Sequence, residues 1–121
     1  DAYTESFVKK ELAEKKKVEH ILLAEIANGL KKPLKSSSRI SGPTFFSENK
    51  KITYYVQYRK SGNHNLHIGR TSGVHEELRS FIEKYNYSVS IINDEVFIQK
   101  ITTSQICEVI NLVEECWVPD Q

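Results

Sequence analysis

From Ile52 to Arg59 apolar and polar residues alternate, with Ile52, Tyr54, Val56 and Tyr58 on one side of an extended chain and Thr53, Tyr55, Gln57 and Arg59 on the other. A period of two is the mark of a strand buried on one face only. Lys60-Ser61-Gly62-Asn63-His64 supplies turn residues, and Asn65 to Arg70 returns with Leu66 and Ile68 inward, so the two segments read as a hairpin. A lone hairpin is marginal in water and needs a cover for its apolar face. That cover follows directly in the chain. Val74, Leu78, Phe81, Ile82 and Tyr85 recur at helical spacing, Thr71 or Ser72 can cap the helix, and Glu76 and Glu77 stand in its first turn, where the helix dipole favours acids.

The same order recurs in the last third of the chain. Tyr87 to Ile92 and Glu95 to Ile101 read as strands around an Asn93-Asp94 turn. Thr102 and Gln105 then have capping-box spacing at the head of a helix that carries Ile106, Ile110, Val113 and Trp117 on one side. At the other end, Thr4 can start a long N-terminal helix that runs to Leu30, with Val18, Ile21, Leu22, Ile26 and Leu30 facing a core and residues 1–17, including Lys15-Lys16-Lys17, reading as a solvated, frayed end or as a projecting arm. Residues 31–51 contain Pro33, Ser36-Ser37-Ser38, Gly42-Pro43 and Asn49-Lys50-Lys51, which predicts one long basic loop anchored by Phe45 and Phe46. The expected fold is therefore α+β. A long N-terminal helix precedes two ββα units, which form a four-stranded, mainly antiparallel sheet with helices on one face.

At 121 residues, 39% hydrophobic and 27% charged, the chain suits one globular domain over residues 1–121 rather than a disordered segment. Its apolar runs fall far short of the roughly 20 residues that span a bilayer, so no membrane association is expected. Cys107 and Cys116 fall on opposite sides of a predicted helix, about 13 Å apart along its axis, and cannot pair with each other. Two isolated thiols suit a reducing, intracellular compartment such as the cytoplasm.

The net charge of +1 hides a strong asymmetry. Residues 31–70 hold nine Lys and Arg against Glu48 alone, a net of +8, whereas residues 71–121 hold three against nine acids, a net of −6. A basic middle segment points to an anionic partner. On the hairpin, Tyr55, Gln57, Arg59 and His67 point away from the core, edged by Lys51, Lys60, His64 and Arg70; Lys50 joins all of these but His64 as the expected contact residues. Cations that neutralise phosphates, rings that stack on bases and an amide that reads base edges form the mixture used by nucleic-acid binders. The leading expectation is thus a non-enzymatic module that binds DNA or RNA through these eight residues. His64 falls in the turn and His67 on the strand three residues on, where parity opposes them, and no Cys or carboxylate stands close by, so no metal site is expected; no phosphate loop, nucleophile elbow or other cofactor signature occurs.

Two alternatives come from other classes. The string Tyr54-Tyr55-Val56-Gln57-Tyr58, then Leu66-His67-Ile68-Gly69-Arg70-Thr71, then a helix with Arg79, resembles the core of the GIY-YIG nucleases. That resemblance implies a metal-dependent nuclease with Tyr55 at the first motif, His67 in place of the second motif's tyrosine, Arg79 or Arg70 at the scissile phosphate, and Glu95 or Glu108 on a divalent metal. The Gly-Ile pair that opens the family's first motif is absent. The other alternative is a protein-binding immunity, antitoxin or regulatory subunit that uses the N-terminal helix or the acidic tail.

Overall fold

The computed structural model describes residues 21–39 and 42–118. The first helix among them, α1, covers 21–29. Strands β1 (Lys35–Arg39), β2 (Gly42–Ser47), β3 (Ile52–Gln57) and β4 (His64–Gly69) follow, then helix α2 (His75–Glu83), strands β5 (Ser90–Ile92) and β6 (Glu95–Ile101), and helix α3 (Thr103–Cys116). The strands form one antiparallel sheet in the order β1-β2-β3-β4-β6-β5.

The alternation read from the sequence fixes which face is covered. Tyr54, Val56, Leu66, Ile68, Val96 and Ile98 are fully or almost fully buried and pack with Leu22 and Ile26 of α1, Leu78 and Ile82 of α2, and Ile106, Val109, Ile110 and Val113 of α3. All three helices therefore cover the same side of the sheet. The opposite side has no layer upon it among the described residues.

Two expectations are corrected. The sheet has six strands and not four, because residues 31–51 are not a loop: β1 pairs with β2 from Lys35 opposite Phe46 to Arg39 opposite Gly42, and β2 pairs with β3. Serine, glycine and proline are poor strand formers, but pairing and burial outweigh local propensity here. Phe45 is fully buried beside Tyr54, and the β2–β3 ladder begins at Thr44, one residue past Pro43, so the missing proline N–H falls at the end of that ladder. Gly42 allows the approach: at φ +147° a Cβ there would lie 1.7 Å from the Val56 carbonyl oxygen. The long N-terminal helix is the second correction, since the described helix is the segment 21–29. The expected arm at 1–17 lies outside the described residues.

The helix caps divide. Thr102 and Gln105 form the capping box, with Thr102 Oγ1 accepting from Gln105 N at 3.3 Å and Gln105 Oε1 accepting from Thr102 N at 2.9 Å. Thr71 and Ser72 do not cap α2, whose N-cap is Val74 without a side-chain bond. Instead the buried Thr71 hydroxyl donates to the Asp94 carbonyl at 2.7 Å and ties the end of β4 to the β5–β6 turn. No described helix is long and apolar enough to cross a membrane.

Candidate functional site

The uncovered sheet face is organised in cross-strand rows. Tyr55 of β3 stands opposite His67 of β4, and His67 stands opposite Phe97 of β6, so three rings occupy adjacent positions across the three central strands. Strands in a sheet lie about 4.8 Å apart, so the row extends on the order of 10 Å. His67 and Phe97 meet edge to face with ring centroids 5.8 Å apart. Thr44 continues the row on the β2 side and Ser90 on the β5 side. All three rings are half-buried, held by their neighbours yet open on the outer side.

Towards the β3–β4 turn the next row is polar. Asn65 Nδ2 donates to Gln57 Oε1 at 3.0 Å, and Asn65 Oδ1 accepts from the backbone N–H of Lys100 at 3.2 Å. These bonds sit at a β-bulge. Leu66 pairs with Ile98 and His64 with Ile101, so the single residue Asn65 faces both Gln99 and Lys100. Lys100 adopts a left-handed backbone at φ +58°, and the alternation of β6 breaks there, leaving Gln99 and Lys100 both exposed. Arg59, Ser61, Asn63, Asn65, Gln99 and Lys100 line an open cavity of about 460 Å³ at this end of the face.

Towards the other end lie Phe46, Thr53 and Gly69. A Cβ at Gly69 would lie 2.6 Å from Glu95 Oε2 and 2.8 Å from Thr53 Oγ1, so the bare glycine lets those two side chains close over the strand. Glu95 Oε2 is also 3.6 Å from His67 Nε2, which places one carboxylate beside the aromatic row.

The eight residues singled out from sequence are only partly brought together. Tyr55, Gln57 and His67 share the uncovered face, and Arg59 borders it. Lys60 is exposed in the turn beyond. Lys50, Lys51 and Arg70 sit at the opposite end of the ribbon, around a separate cavity of about 450 Å³ with Asn49, Ser72, Val74 and Val118. At about 3.3 Å per residue, β3 keeps the two groups on the order of 20 Å apart. The Lys50 ammonium is engaged with the Trp117 carbonyl at the end of α3, where helix carbonyls attract cations. Other basic residues of the middle segment are paired with acids: Lys35 bridges to Glu48, and Lys31 to Glu115 at 3.5 Å. The +8 segment is therefore no single patch.

Phe97, Asn65, Gln99 and Lys100 were not singled out from sequence. The alternation of 95–99 places Phe97 opposite Val96 and Ile98 in parity, a usable signal once β6 is known to lie beside β4. The bulge that turns Lys100 outward has no local sequence signature.

The residues implied by the nuclease resemblance converge only in part: Glu95 lies 3.6 Å from His67, while Arg70 lies with Lys50 and Lys51 at the strand end. Tyr55 and His67 lie on the uncovered face, whereas Arg79 belongs to α2 on the covered face and is bracketed by Glu76 at 3.3 Å and Glu83 at 3.5 Å. Glu108 belongs to α3, where its carboxylate and burial together push the Tyr87 hydroxyl up to about 12, burial being the larger cause. No group of three or more His, Cys, Asp or Glu side chains among the described residues is placed to hold a metal ion.

His64 points into the core and His67 out of it. The buried His64 ring stacks on Tyr58 with centroids 5.4 Å apart, and its Nδ1 accepts the Arg59 backbone N–H at 2.9 Å. Burial lowers its pKa below the ordinary histidine value, against a smaller opposing pull from Glu25.

Compared with protein-family models, with curated proteins and with solved structures, the chain finds no match in any of the three.

Proposed function

We propose that this domain is a non-enzymatic binding module whose uncovered sheet face takes single-stranded nucleic acid. The observation that carries the reading is the row Tyr55, His67, Phe97 across three neighbouring strands with nothing packed on it among the described residues. Rings presented on an antiparallel sheet stack on unpaired bases, whereas the bases of a duplex are already stacked and withhold their faces. Gln57 and Gln99 supply amides for base edges beside that row, and Arg59, Lys60 and Lys100 supply positive charge on its turn side. The dispersal of the remaining cations favours this narrower reading over a broad electrostatic grip on duplex backbone.

Fluorescence anisotropy of a labelled 12-nucleotide mixed-sequence strand and of its duplex, at 50 and 200 mM salt, tests the proposal. The expected result is micromolar or tighter binding to the single strand, weakened by salt, with the duplex bound less tightly. Tyr55→Ala is expected to weaken it by roughly ten- to a hundredfold, since one base–aromatic stack contributes about 1–3 kcal/mol. Absence of binding at tens of micromolar protein, or binding indifferent to Tyr55→Ala, rejects the reading.

A further inference from the structure

We infer that the cavity at the β3–β4 turn end of the face is a subsite for a phosphomonoester, the terminal phosphate of a bound strand. The inference rests on the single-strand reading of the neighbouring aromatic row for the source of the phosphate, but its chemistry stands on the cavity itself. Arg59 and Lys100 come from different strands' ends and line one space, and neither side chain is paired with a carboxylate among the described residues. Three amides, Asn63, Asn65 and Gln99, and the Ser61 hydroxyl complete the lining. A phosphomonoester carries close to two negative charges at neutral pH and several strong acceptor oxygens, which a guanidinium, an ammonium and amide donors satisfy together.

Lys100 is placed there at a cost. A lysine at φ +58° occupies a region that L side chains other than Asn and Asp seldom adopt. In a regular β6, position 100 would lie opposite in parity to Gln99, on the covered face, and its ammonium would be driven against the helices. The bulge opposite Asn65 reverses that parity, and Asn65 Oδ1 holds the altered backbone by taking the Lys100 N–H at 3.2 Å. Bulges of this kind re-aim side chains beside functional sites. The turn residues Ser61 and Asn63 stand beyond the strand ends, so the cavity flanks the row of rings on its turn side. Two cations lining one space suit the nearly two charges of a terminal phosphate better than the single charge of an internal one.

The experiment compares one 12-nucleotide strand with a 5′-phosphate, a 3′-phosphate or hydroxyls at both ends, together with a nucleoside monophosphate alone, on the native protein and on Lys100→Asn, Arg59→Gln and Tyr55→Ala. Asparagine tolerates the left-handed backbone, so the first variant removes the ammonium without straining the bulge. One of the two phosphorylated strands is expected to bind about tenfold tighter than the hydroxyl strand, the equivalent of one added charge-assisted contact. That gain disappears in Lys100→Asn and Arg59→Gln, while Tyr55→Ala weakens all strands alike and keeps the gain. If all three strands bind equally, the subsite is overturned and the aromatic reading survives. If no strand binds but the monophosphate does, in a Lys100-dependent way, the subsite holds a free nucleotide and the aromatic reading falls. If neither strand nor monophosphate binds, both fall.

Discussion

Asn111 closes the end of α1 through Gly29. Its Nδ2 donates to the Gly29 carbonyl at 3.0 Å while its Oδ1 accepts from the Lys31 backbone N–H at 2.9 Å, so one amide of α3 satisfies both polarities of the chain leaving the helix. A helix ends with unpaired carbonyls, and here a side chain far along the sequence takes one of them. Asn111→Ala is expected to cost about 1–2 kcal/mol in urea denaturation, two modest hydrogen bonds of about 1 kcal/mol each. Asn111→Asp keeps the acceptor but sets a carboxylate oxygen against the Gly29 carbonyl, and is expected to cost at least as much. An alanine variant as stable as the native chain would show that α1 is held by packing alone.

The ring of His64 links acid sensitivity to the turn that carries Arg59. Neutral Nδ1 accepts the Arg59 N–H, and protonation removes that acceptor inside a buried site. Because burial depresses the folded-state pKa below the unfolded value, the unfolded chain binds the proton more readily. The stabilising contribution is therefore complete above about pH 6.5, the ordinary histidine value, and is lost as the pH falls below it towards the folded pKa. Native protein followed by urea melts from pH 7.5 to 5 should lose stability across that window. His64→Gln should show a flatter profile; an equally steep one would assign the acid loss to other groups.

Lys100 places stability and binding in opposition. Glycine at that position relieves the left-handed strain, which is about 1–2 kcal/mol for an L residue, but returns part of it as unfolded-state entropy. Lys100→Gly is expected to gain up to about 1 kcal/mol while losing the preference for a phosphorylated strand end. A glycine variant less stable than native would mean that the side chain itself packs on the bulge.

Gly42 permits no side chain. A Cβ there would penetrate the Val56 carbonyl oxygen at 1.7 Å, and the obstacle is backbone, which cannot swing aside. Gly42→Ala is expected to lose more than about 3 kcal/mol or to leave the protein aggregated, judged by circular dichroism and gel filtration, whereas Gly62→Ala, with nothing within 4 Å of its Cβ, should lose only the left-handed backbone strain of φ +86°, about 1–2 kcal/mol.

These positions also show which parts of the molecule could be read from the sequence. The period-two pattern of 52–59 and the capping box at Thr102 and Gln105 are local signals, and the structure contains both. The β1–β2 hairpin was hidden because its strands draw their stability from pairing and from Phe45 reaching the core, while Ser36-Ser37-Ser38 and Gly42-Pro43 carry turn chemistry. On the face, parity alone brought Tyr55, Gln57 and His67 together. Charge summed along the chain could not report that β3 separates Lys51 from Arg59, nor that Lys31 and Lys35 meet acids from elsewhere. A one-residue bulge decided where Lys100 points, and bulges depend on register with a partner strand that the local sequence does not specify.

Tyr54 tests whether the core tolerates the one fully buried phenol among the described residues as an unpaired group. The ring is fully buried, and its hydroxyl completes no hydrogen bond among the described residues, although the Glu114 carboxylate, itself held by Ser47 Oγ at 3.0 Å, lies near enough to act on it. Burial first, and Glu114 second, push its pKa far up, so the phenol stays neutral throughout the stable pH range. Leaving a buried donor unsatisfied costs about 1–3 kcal/mol, a penalty that phenylalanine of the same shape does not carry. Tyr54→Phe is accordingly expected to match the native protein or to exceed it by up to about 1 kcal/mol in urea denaturation at pH 7. A loss greater than about 1.5 kcal/mol would instead show that the hydroxyl donates to Glu114 in solution, making Tyr54, Ser47 and Glu114 a connected brace between β2, β3 and the last turn of α3.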